Sequence, residues 1–572
     1  MTSESPGLTY NSRSGRWVIA GTVLGSGIAA IDATVVGIAL PAIGKDFHAT
    51  VASLQWVVDG YTLALAGLLL LGGGLGDSYG RKKVFMIGTV WFALASLACG
   101  LAPTEGFLIF ARVLQGAGAA LLTPGSLAIL QASFSPDDRP KAIGAWSGLG
   151  GVATAVGPFL GGWLISAVSW RLVFFINLPV AVAVIAIAAR HIPESRSPGP
   201  RRPVDVPGAI MISLALAAIT FSLIAASDAG WTSPRVLTTL LAGVVLFVAF
   251  CITEARSPHA LVPLAVFKSR QFSAANAVTF VVYGALGGAL FLLPVVLQEV
   301  CGYSPLEAGV ALLPVTVIML LLSARSAALA ARIGPRLQMS VGPLTIAVGM
   351  TLFTRVNSSG DYLTQVLPAL LVFGFGLAIN VAPLTATALA AAPAELAGTA
   401  SAVNNDVARV ASLIAVAVLP GLAGISGDAY LHPATLLHGF HTAMLISAAV
   451  AGAGGVLAAA TIRNPARVKG QPAAAAKDET ALNSPTCALD APPLRTTSNR
   501  LPACRRGIEP VNGDGTGPGV RPITVSGKPA VRRARGRELP AGGRSARWSP
   551  RGRRGRPGRA RRPRWRQRTR AR

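Results

Sequence analysis

The sequence has few charged residues. Asp, Glu, Lys and Arg make up only 13% of its 572 residues, whereas a soluble chain carries about 25%. Hydrophobic residues account for 52%, and the mean hydropathy is +0.55. This composition excludes a soluble globular enzyme and predicts an all-α integral membrane protein.

Cysteine is also scarce. None of the spacings among the five cysteines resembles a zinc site or a redox pair, and a disulfide-stapled secreted domain is excluded (Cys99, Cys251, Cys301, Cys487 and Cys504). The sequence contains no nucleophile elbow, phosphate-binding loop or metal-ligand cluster, so we expect no enzyme activity, no cofactor and no metal. The first apolar run is too long for a cleaved signal peptide.

Acidic residues are rare at one end of the chain. Residues 463–572 contain 28 Lys and Arg but only 6 Asp and Glu, whereas the first 462 residues contain 23 and 18. The net charge of +27 therefore belongs mostly to a basic tail, 462–572, whose composition predicts disorder. Three interpretations of the tail stay open: a dispensable or frame-altered extension, contact with anionic lipid, and RNA binding.

Long apolar runs dominate the rest of the sequence. A membrane-spanning helix needs about 20 mostly apolar residues, and fourteen segments qualify: 17–41, 53–74, 84–102, 107–131, 141–166, 172–190, 206–227, 236–253, 272–297, 305–329, 339–356, 364–389, 400–424 and 437–461. With a cytoplasmic N-terminus, sixteen Lys and Arg before the tail fall on the inner side and four on the outer side. We therefore expect both termini in the cytoplasm of a cell-membrane protein.

The order of these segments predicts the domain organisation. A cytoplasmic segment, 1–16, precedes a six-helix bundle, 17–190. A linker with two extra helices, 191–271, leads to a second six-helix bundle, 272–461. Two repeated bundles around a midplane cavity are typical of secondary transporters.

Three charged residues lie inside the first bundle, at Asp32, Asp59 and Arg112. A charge at a helix centre costs about 2.5–3.5 kcal/mol on insertion scales, so each is a candidate functional residue. A rise of 1.5 Å per residue places all three at a similar depth in the outer half. We predict that the two acids share Arg112 and that one of them titrates; a static, buried ion pair is the alternative.

Four motifs resemble those of the major facilitator superfamily. They are residues 31–41 (IDATVVGIALP), 73–83 (GGLGDSYGRKK), 108–120 (LIFARVLQGAGAA, with Arg112 and Gln115) and 157–162 (GPFLGG). With fourteen helices, the chain is most similar to the fourteen-spanner drug:proton antiporters. It departs from their pattern at Ser78, Gly37 and Asp406. Asp406 stands three residues before Arg409, where the two can pair on one helix face; structural and functional roles both stay open for this pair.

The resemblance implies a role for each motif. Asp32, Arg112 and Asp59 would couple transport to protons. The loop containing Gly73, Asp77, Gly80, Arg81 and Lys82 would act as a conformational latch, in which Asp77 meets the opposite bundle when the transporter faces outward. Close packing and bending of helix 5 against the other bundle would depend on the antiporter motif, namely Gly157, Pro158, Gly161 and Gly162.

The expected function is proton-coupled export of lipophilic or cationic drugs or natural products by a functional monomer. The substrate cavity is expected to be apolar with scattered aromatic residues. Five residues are candidates to line it, although lipid-facing or interfacial packing is the favoured role for each: Trp56, Tyr61, Trp146, Tyr283 and Phe291. Three other functions stay open: a dedicated exporter of one metabolite, a facilitator or uptake system of the same fold, and a non-transporting sensor or anchor.

Overall fold

The structure is a computed structural model that describes residues 7–196, 203–257, 260–262, 264–392 and 397–464. Within these residues, fourteen helices are long and apolar enough to cross a membrane, as the sequence predicts. They are α1 Arg13–Phe47, α2 Val51–Tyr79, α3 Arg81–Gly100, α4 Glu105–Ser133, α5 Arg139–Ala167, α6 Leu172–His191, α7 Val206–Ala229, α8 Pro234–Arg256, α9 Arg270–Glu299, α10 Pro305–Ile333, α11 Pro335–Arg355, α12 Tyr362–Ala390, α13 Ala397–Leu422 and α14 Pro433–Thr461. The protein is therefore a multi-pass membrane protein.

Several helices are longer than their apolar runs or are interrupted by proline. Helix α1 continues through Pro41 to Phe47, so Lys45 belongs to its last turn and not to the loop expected there. Helices α6 and α10 each contain a break, at Ile176 and Leu312. Pro179 and Pro314 follow these breaks and lack the amide that would continue the helical hydrogen bonds.

Helix packing repeats between the two halves of the chain. In the first half α1 packs against α5 and α6, and α2 against α4; in the second half α9 packs against α13 and α14, and α10 against α12. The inserted helices α7 and α8 pack against each other, and α7 also contacts α2 and α13. The two halves meet through α5 with α10 and α2 with α13, which are equivalent pairs in the repeat.

The bundle has two ends, at which the helices are joined by loops, and we name each end by its loops. The terminal face contains the start of α1, the α2–α3 junction and the end of α14; the opposite face contains the α1–α2 and α13–α14 junctions. On the opposite face Lys45 forms an ion pair with Glu299 at 2.8 Å, and the Tyr430 hydroxyl donates to the Ala49 carbonyl at 3.0 Å. Deeper in, the Gln55 amide donates to two carbonyl groups of α13. The two halves are thus joined at the opposite face.

Short segments at both ends of the helical body are fixed to the terminal face. Before α1, the Tyr10 amide donates to the Asp138 carboxylate at 3.0 Å. This hydrogen bond, with Lys141 nearby, holds the pKa of Asp138 below its usual value. After α14, the Arg463 amide donates to the Gln271 side chain at 3.1 Å. The short described segments before α1 and after α14 are therefore both packed against the helices of the bundle.

Candidate functional site

A buried ion pair joins α1 to α4 inside the first bundle. The Arg112 guanidinium donates to the Asp32 carboxylate, and each residue is only 1% exposed. Arg112 also donates from Nε to the Val57 carbonyl of α2 at 3.0 Å. The pair predicted between Asp32 and Arg112 is therefore present in the structure.

Three neutral polar side chains complete this cluster. The Gln115 amide donates to Asp32 Oδ1 at 2.8 Å, and the Asn177 amide donates to the same oxygen at 3.1 Å. Both amides also donate to the Ser96 hydroxyl, which in turn donates to the Phe174 carbonyl. Buried polar groups need such partners, so we name Asp32, Arg112, Gln115, Ser96 and Asn177 the polar cluster. Ser96 lies outside the four sequence motifs, so the sequence did not identify it as a site residue.

Asp59 does not belong to the polar cluster, in contrast to the prediction that it shares Arg112. It is fully buried, and neither carboxylate oxygen has a hydrogen-bond partner. Arg112 forms no ion pair with it within 4.0 Å. Four residues before it, Gln55 donates to α13, and four residues after it, Leu63 belongs to the same hydrophobic cluster as Leu413 of α13. Asp59 therefore lies on the α2 face toward the second bundle. The prediction used only the depth of Asp59 and Arg112 along their helices. Depth does not say which face of a helix a side chain occupies.

A cavity of 1840 Å³ extends from the terminal face toward the middle of the bundle. Residues of α1, α2, α4 and α5 line one wall, and residues of α13 line the other. Because the halves are joined at the opposite face, the cavity is open toward the terminal face. This arrangement gives a substrate access from one side only.

Two of the five aromatic residues expected in the cavity line it, namely Tyr61 and Trp146. The other three occupy packing positions in this conformation. Trp56 packs against Phe221 of α7, Tyr283 packs against the main hydrophobic core, and Phe291 belongs to that core with 6% exposure. Helix packing covers the apolar surfaces of these three side chains, and packing was the other role considered for each.

Tyr61 connects the cavity to the polar cluster. Its ring lines the cavity, and the Arg112 guanidinium lies 4.3 Å from the centroid of the same ring. The Tyr61 hydroxyl donates to the Ala29 carbonyl of α1 at 3.4 Å. Among the described residues of the polar cluster, none lines the cavity itself. The ring therefore separates the cavity from the buried ion pair.

The predicted latch forms a tight junction between α2 and α3. Asp77 accepts two hydrogen bonds from Arg81, at 2.9 and 2.8 Å. Gly80 has φ +117°, a conformation that favours glycine. Lys82 donates from its ammonium group to the Ala189 carbonyl, while Gly73 lines the cavity near Pro124. In this conformation Asp77 is therefore paired within its own loop.

The antiporter motif lies where α5 meets α1 and α10. Gly157 and Gly161 face α1, while Pro158 and Gly162 face the first turns of α10. A Cβ atom on Gly162 would lie 2.5 Å from the Pro305 carbonyl oxygen. The motif thus allows a close backbone approach of the two halves near the opposite face.

Asp406 and Arg409 do not form the local pair considered from their spacing. Within the described residues no ion pair joins them inside 4.0 Å, and Asp406 Oδ1 and Arg409 Nε both lack hydrogen-bond partners. Arg409 lines the cavity, whereas Asp406 does not. Among the described residues there is also no group of three or more His, Cys, Asp or Glu that is able to hold a metal ion.

Comparisons with known proteins agree with this geometry. Residues 22–417 match the Major Facilitator Superfamily. The tetracenomycin C resistance and export protein of Streptomyces glaucescens is 38% identical over 68% of this chain and 72% of its own length. The puromycin resistance protein of Streptomyces alboniger is 37% identical over 70% and 80%.

The fold is also that of a solved transporter. The inward-facing, unoccupied structure of a bacterial homologue of the human lysosomal transporter Spinster superposes with a TM-score of 0.55. It has 17% sequence identity and covers 79% of this chain and 98% of that one. The chain therefore belongs to the Major Facilitator Superfamily. It is a transporter of small molecules and not an enzyme.

Proposed function

We propose that the protein is a proton-coupled antiporter that exports lipophilic drugs or natural products across the cytoplasmic membrane. Its terminal face would be cytoplasmic, because most Lys and Arg residues of the short loops lie there. The structure would then represent the inward-facing state. The resistance and export proteins of Streptomyces, which are 37–38% identical, support export as the direction of transport.

The observation that carries this proposal is the buried pairing of Asp32 with Arg112. Arg112 keeps its proton in proteins, so Asp32 is the member of the pair that is able to exchange one. Three donors surround the Asp32 carboxylate, from Arg112, Gln115 and Asn177. These donors match an ionised Asp32, which is the form expected after a proton is released into the cytoplasm. Asp59, buried without a partner, is the second candidate proton carrier.

Tyr61 offers a physical link between substrate and proton. Tyr61 lines the cavity and its ring also covers the Arg112 guanidinium, so a substrate in the cavity would contact this residue. Displacing this ring would change the surroundings of the ion pair without direct contact between substrate and Asp32. Substrate release and proton binding would then influence each other, as exchange requires.

The free energy that one proton gains by crossing the membrane is large enough to maintain the substrate gradient that resistance requires. The membrane potential contributes about 2.3 kcal/mol per charge per 100 mV. At about 150 mV this sustains roughly a few-hundredfold gradient of a neutral substrate, since about 1.4 kcal/mol corresponds to tenfold.

The test is Asp32→Asn in everted membrane vesicles. A pH gradient should drive uptake of a fluorescent drug into vesicles with the unmodified protein, and the variant should lose this uptake while it is still inserted at normal levels. Asp46→Asn is the matched control, because Asp46 lies on the same helix but is exposed and paired with Arg171 at the opposite face. Full gradient-driven transport by Asp32→Asn would refute the coupling assignment.

A dedicated exporter of one metabolite is the second candidate. It is favoured by relatives whose names each specify one antibiotic, tetracenomycin C and puromycin. A susceptibility panel of drugs and metabolites, with and without expression, separates the two candidates. Protection against a single chemical class indicates a dedicated exporter, and protection against many unrelated compounds indicates multidrug export.

A further inference from the structure

The charges along the cavity differ between its mouth and its deep end. Among the described residues, six charged ones line the mouth at helix ends and in loops of the terminal face, three of each sign: Asp77, Arg81, Arg196, Asp205, Glu254 and Lys268. The one further charged residue in this described lining is Arg409, inside α13. Neither Asp32 nor Asp59 lines the cavity. These two acids, which would favour a cationic substrate, are therefore not exposed to a substrate in this conformation.

Arg409 lies at the midpoint of its helix. It is twelve residues from Ala397 and thirteen from Leu422, which corresponds to about 18 and 20 Å at 1.5 Å per residue. A charge at this depth is costly and is a functional candidate by default. Unlike Arg112, which has a carboxylate and two oxygen acceptors, Arg409 has no ion-pair partner within 4.0 Å among the described residues.

The surroundings of Arg409 favour an aromatic molecule. Tyr61, Trp146 and Asn405 line the same cavity, together with small apolar residues of α1. Arg409 also lies within electrostatic range of the Tyr61 hydroxyl. Rings offer stacking area to Tyr61 and Trp146, and a planar guanidinium binds a carboxylate through two parallel hydrogen bonds.

We infer that Arg409 is a specificity-determining residue that binds the anionic group of an amphipathic aromatic substrate, such as a ring system bearing a carboxylate. The inference rests on the proposed function and narrows its substrate class. Asp406, three residues earlier on α13, lies within electrostatic range of Arg409, but it forms no ion pair with Arg409 within 4.0 Å and does not line the cavity. An anionic substrate therefore supplies the partner that Arg409 lacks.

Binding of two probes that differ only in charge tests this inference. Anthraquinone-2-carboxylate and anthraquinone-2-carboxamide are titrated against the purified full-length protein, with tryptophan quenching as the signal and Trp146→Phe as a check on location. The carboxylate should bind at least tenfold more tightly than the carboxamide. Arg409→Gln should remove this preference by weakening the carboxylate alone, and Arg409→Lys should retain part of it.

Two further variants serve as controls. Arg325→Gln, an exposed arginine of α10 outside the cavity lining, should bind both probes as the unmodified protein does. Asp406→Asn should leave the carboxylate preference intact or strengthen it. Equal affinity of the unmodified protein for both probes overturns the inference even if Arg409→Gln fails to fold. Equal weakening of both probes by Arg409→Gln also overturns it, since that result indicates packing.

Transport distinguishes failure of this inference from failure of the proposed function. If everted vesicles accumulate a neutral or cationic drug under a pH gradient but the charge preference is absent, export stands and the role of Arg409 is wrong. If the charge preference is present but no gradient drives accumulation of the carboxylate, the binding site stands and proton-coupled export is wrong.

Discussion

Gly162 of α5 packs directly against the backbone of Pro305 at the start of α10. A Cβ atom on Gly162 would approach the Pro305 carbonyl oxygen to 2.5 Å and the Leu306 Cα to 2.7 Å. The neighbouring Leu306 amide donates to the Ser166 hydroxyl at 3.3 Å. Backbone atoms cannot move aside as a flexible side chain does, so closure of the opposite face depends on the missing side chain of Gly162.

Replacing Gly162 by valine should prevent this closure. The branched side chain clashes with backbone atoms of α10, which should reduce transport at least tenfold and favour the state that is open at the opposite face. The measurement is labelling of Ala402→Cys, a cavity residue, in a cysteine-free background with an impermeant thiol reagent applied at the terminal face. Labelling should decrease in the Gly162→Val variant.

Gly151→Val is the matched control on the same helix. A Cβ atom on Gly151 meets no atom within 4 Å, so this variant should transport and label like the unmodified protein. Normal labelling and transport in Gly162→Val would show that the two halves do not need this contact for closure.

A second prediction concerns Tyr61 as the link between cavity and ion pair. Tyr61→Leu removes a cation–π contact worth about 0.5–2 kcal/mol, so substrate should no longer influence proton exchange at Asp32. We expect drug-stimulated proton movement in proteoliposomes to fall several-fold, with a lower ratio of drug to proton transported.

Tyr61→Phe is the control for this prediction, because it keeps the ring over Arg112 and loses only the 3.4 Å hydrogen bond to Ala29. Its coupling should remain near that of the unmodified protein. If Tyr61→Leu keeps the unmodified ratio of drug to proton, coupling follows a route that does not include this ring.

A third prediction concerns the latch. Asp77→Asn should lower turnover several-fold while drug binding is unchanged, because Asp77 acts on conformational exchange and lies far from the deep end of the cavity. The Asp77–Arg81 pair seen here is partly exposed and contributes only about 0–1 kcal/mol, so the fold should persist. Asp137→Asn, an exposed acid of the same face, should have no effect. Lost binding with normal turnover would contradict the assignment.

Sequence reasoning succeeded where one-dimensional patterns carry the signal. The fourteen apolar runs correspond to fourteen membrane-length helices among the described residues, including the short segment at 236–253, because a membrane-spanning helix needs only sufficient length and apolarity. The similar depth of Asp32 and Arg112, estimated from the helical rise per residue, predicted that they pair. Helix ends were less accurate, since α1 continues past Pro41 for six residues.

It failed where the helix face matters. Asp59 has the right depth for Arg112 but lies on the face toward α13, and only the packing of α2 reveals this. Ser96 resembles any serine in an apolar helix until α3, α4 and α6 bring it to Gln115 and Asn177. The sequence also did not distinguish the aromatic residues that line the cavity, Tyr61 and Trp146, from those that pack between helices. Residue type is the same in both groups, and only the helix face differs.

The last residues before the basic tail form specific contacts with the bundle. The Gln271 side chain of α9 bonds to both backbone groups of Arg463, and the Arg336 amide of α11 donates to the Asn464 side chain at 3.0 Å. These contacts join α14 to two other helices at the terminal face. The tail interpretations from the sequence concern residues that lie almost entirely outside the described ones, which end at Asn464.

Deleting residues 470–572 should therefore leave insertion and drug export intact. Every motif and every residue of the polar cluster precedes residue 462, and the truncated chain keeps the contacts of Arg463 and Asn464. The basic residues of the tail would add about 1 kcal/mol each near anionic lipid, but they act on a chain already held by fourteen helices. The measurement is resistance at matched membrane levels of the full-length and truncated proteins.

Deletion of 462–572 is the comparison, because it removes the Gln271 and Arg336 contacts and should lower thermal stability. If deletion of 470–572 alone removes resistance, the tail is a working part of the transporter, and lipid or RNA contact becomes the interpretation to test.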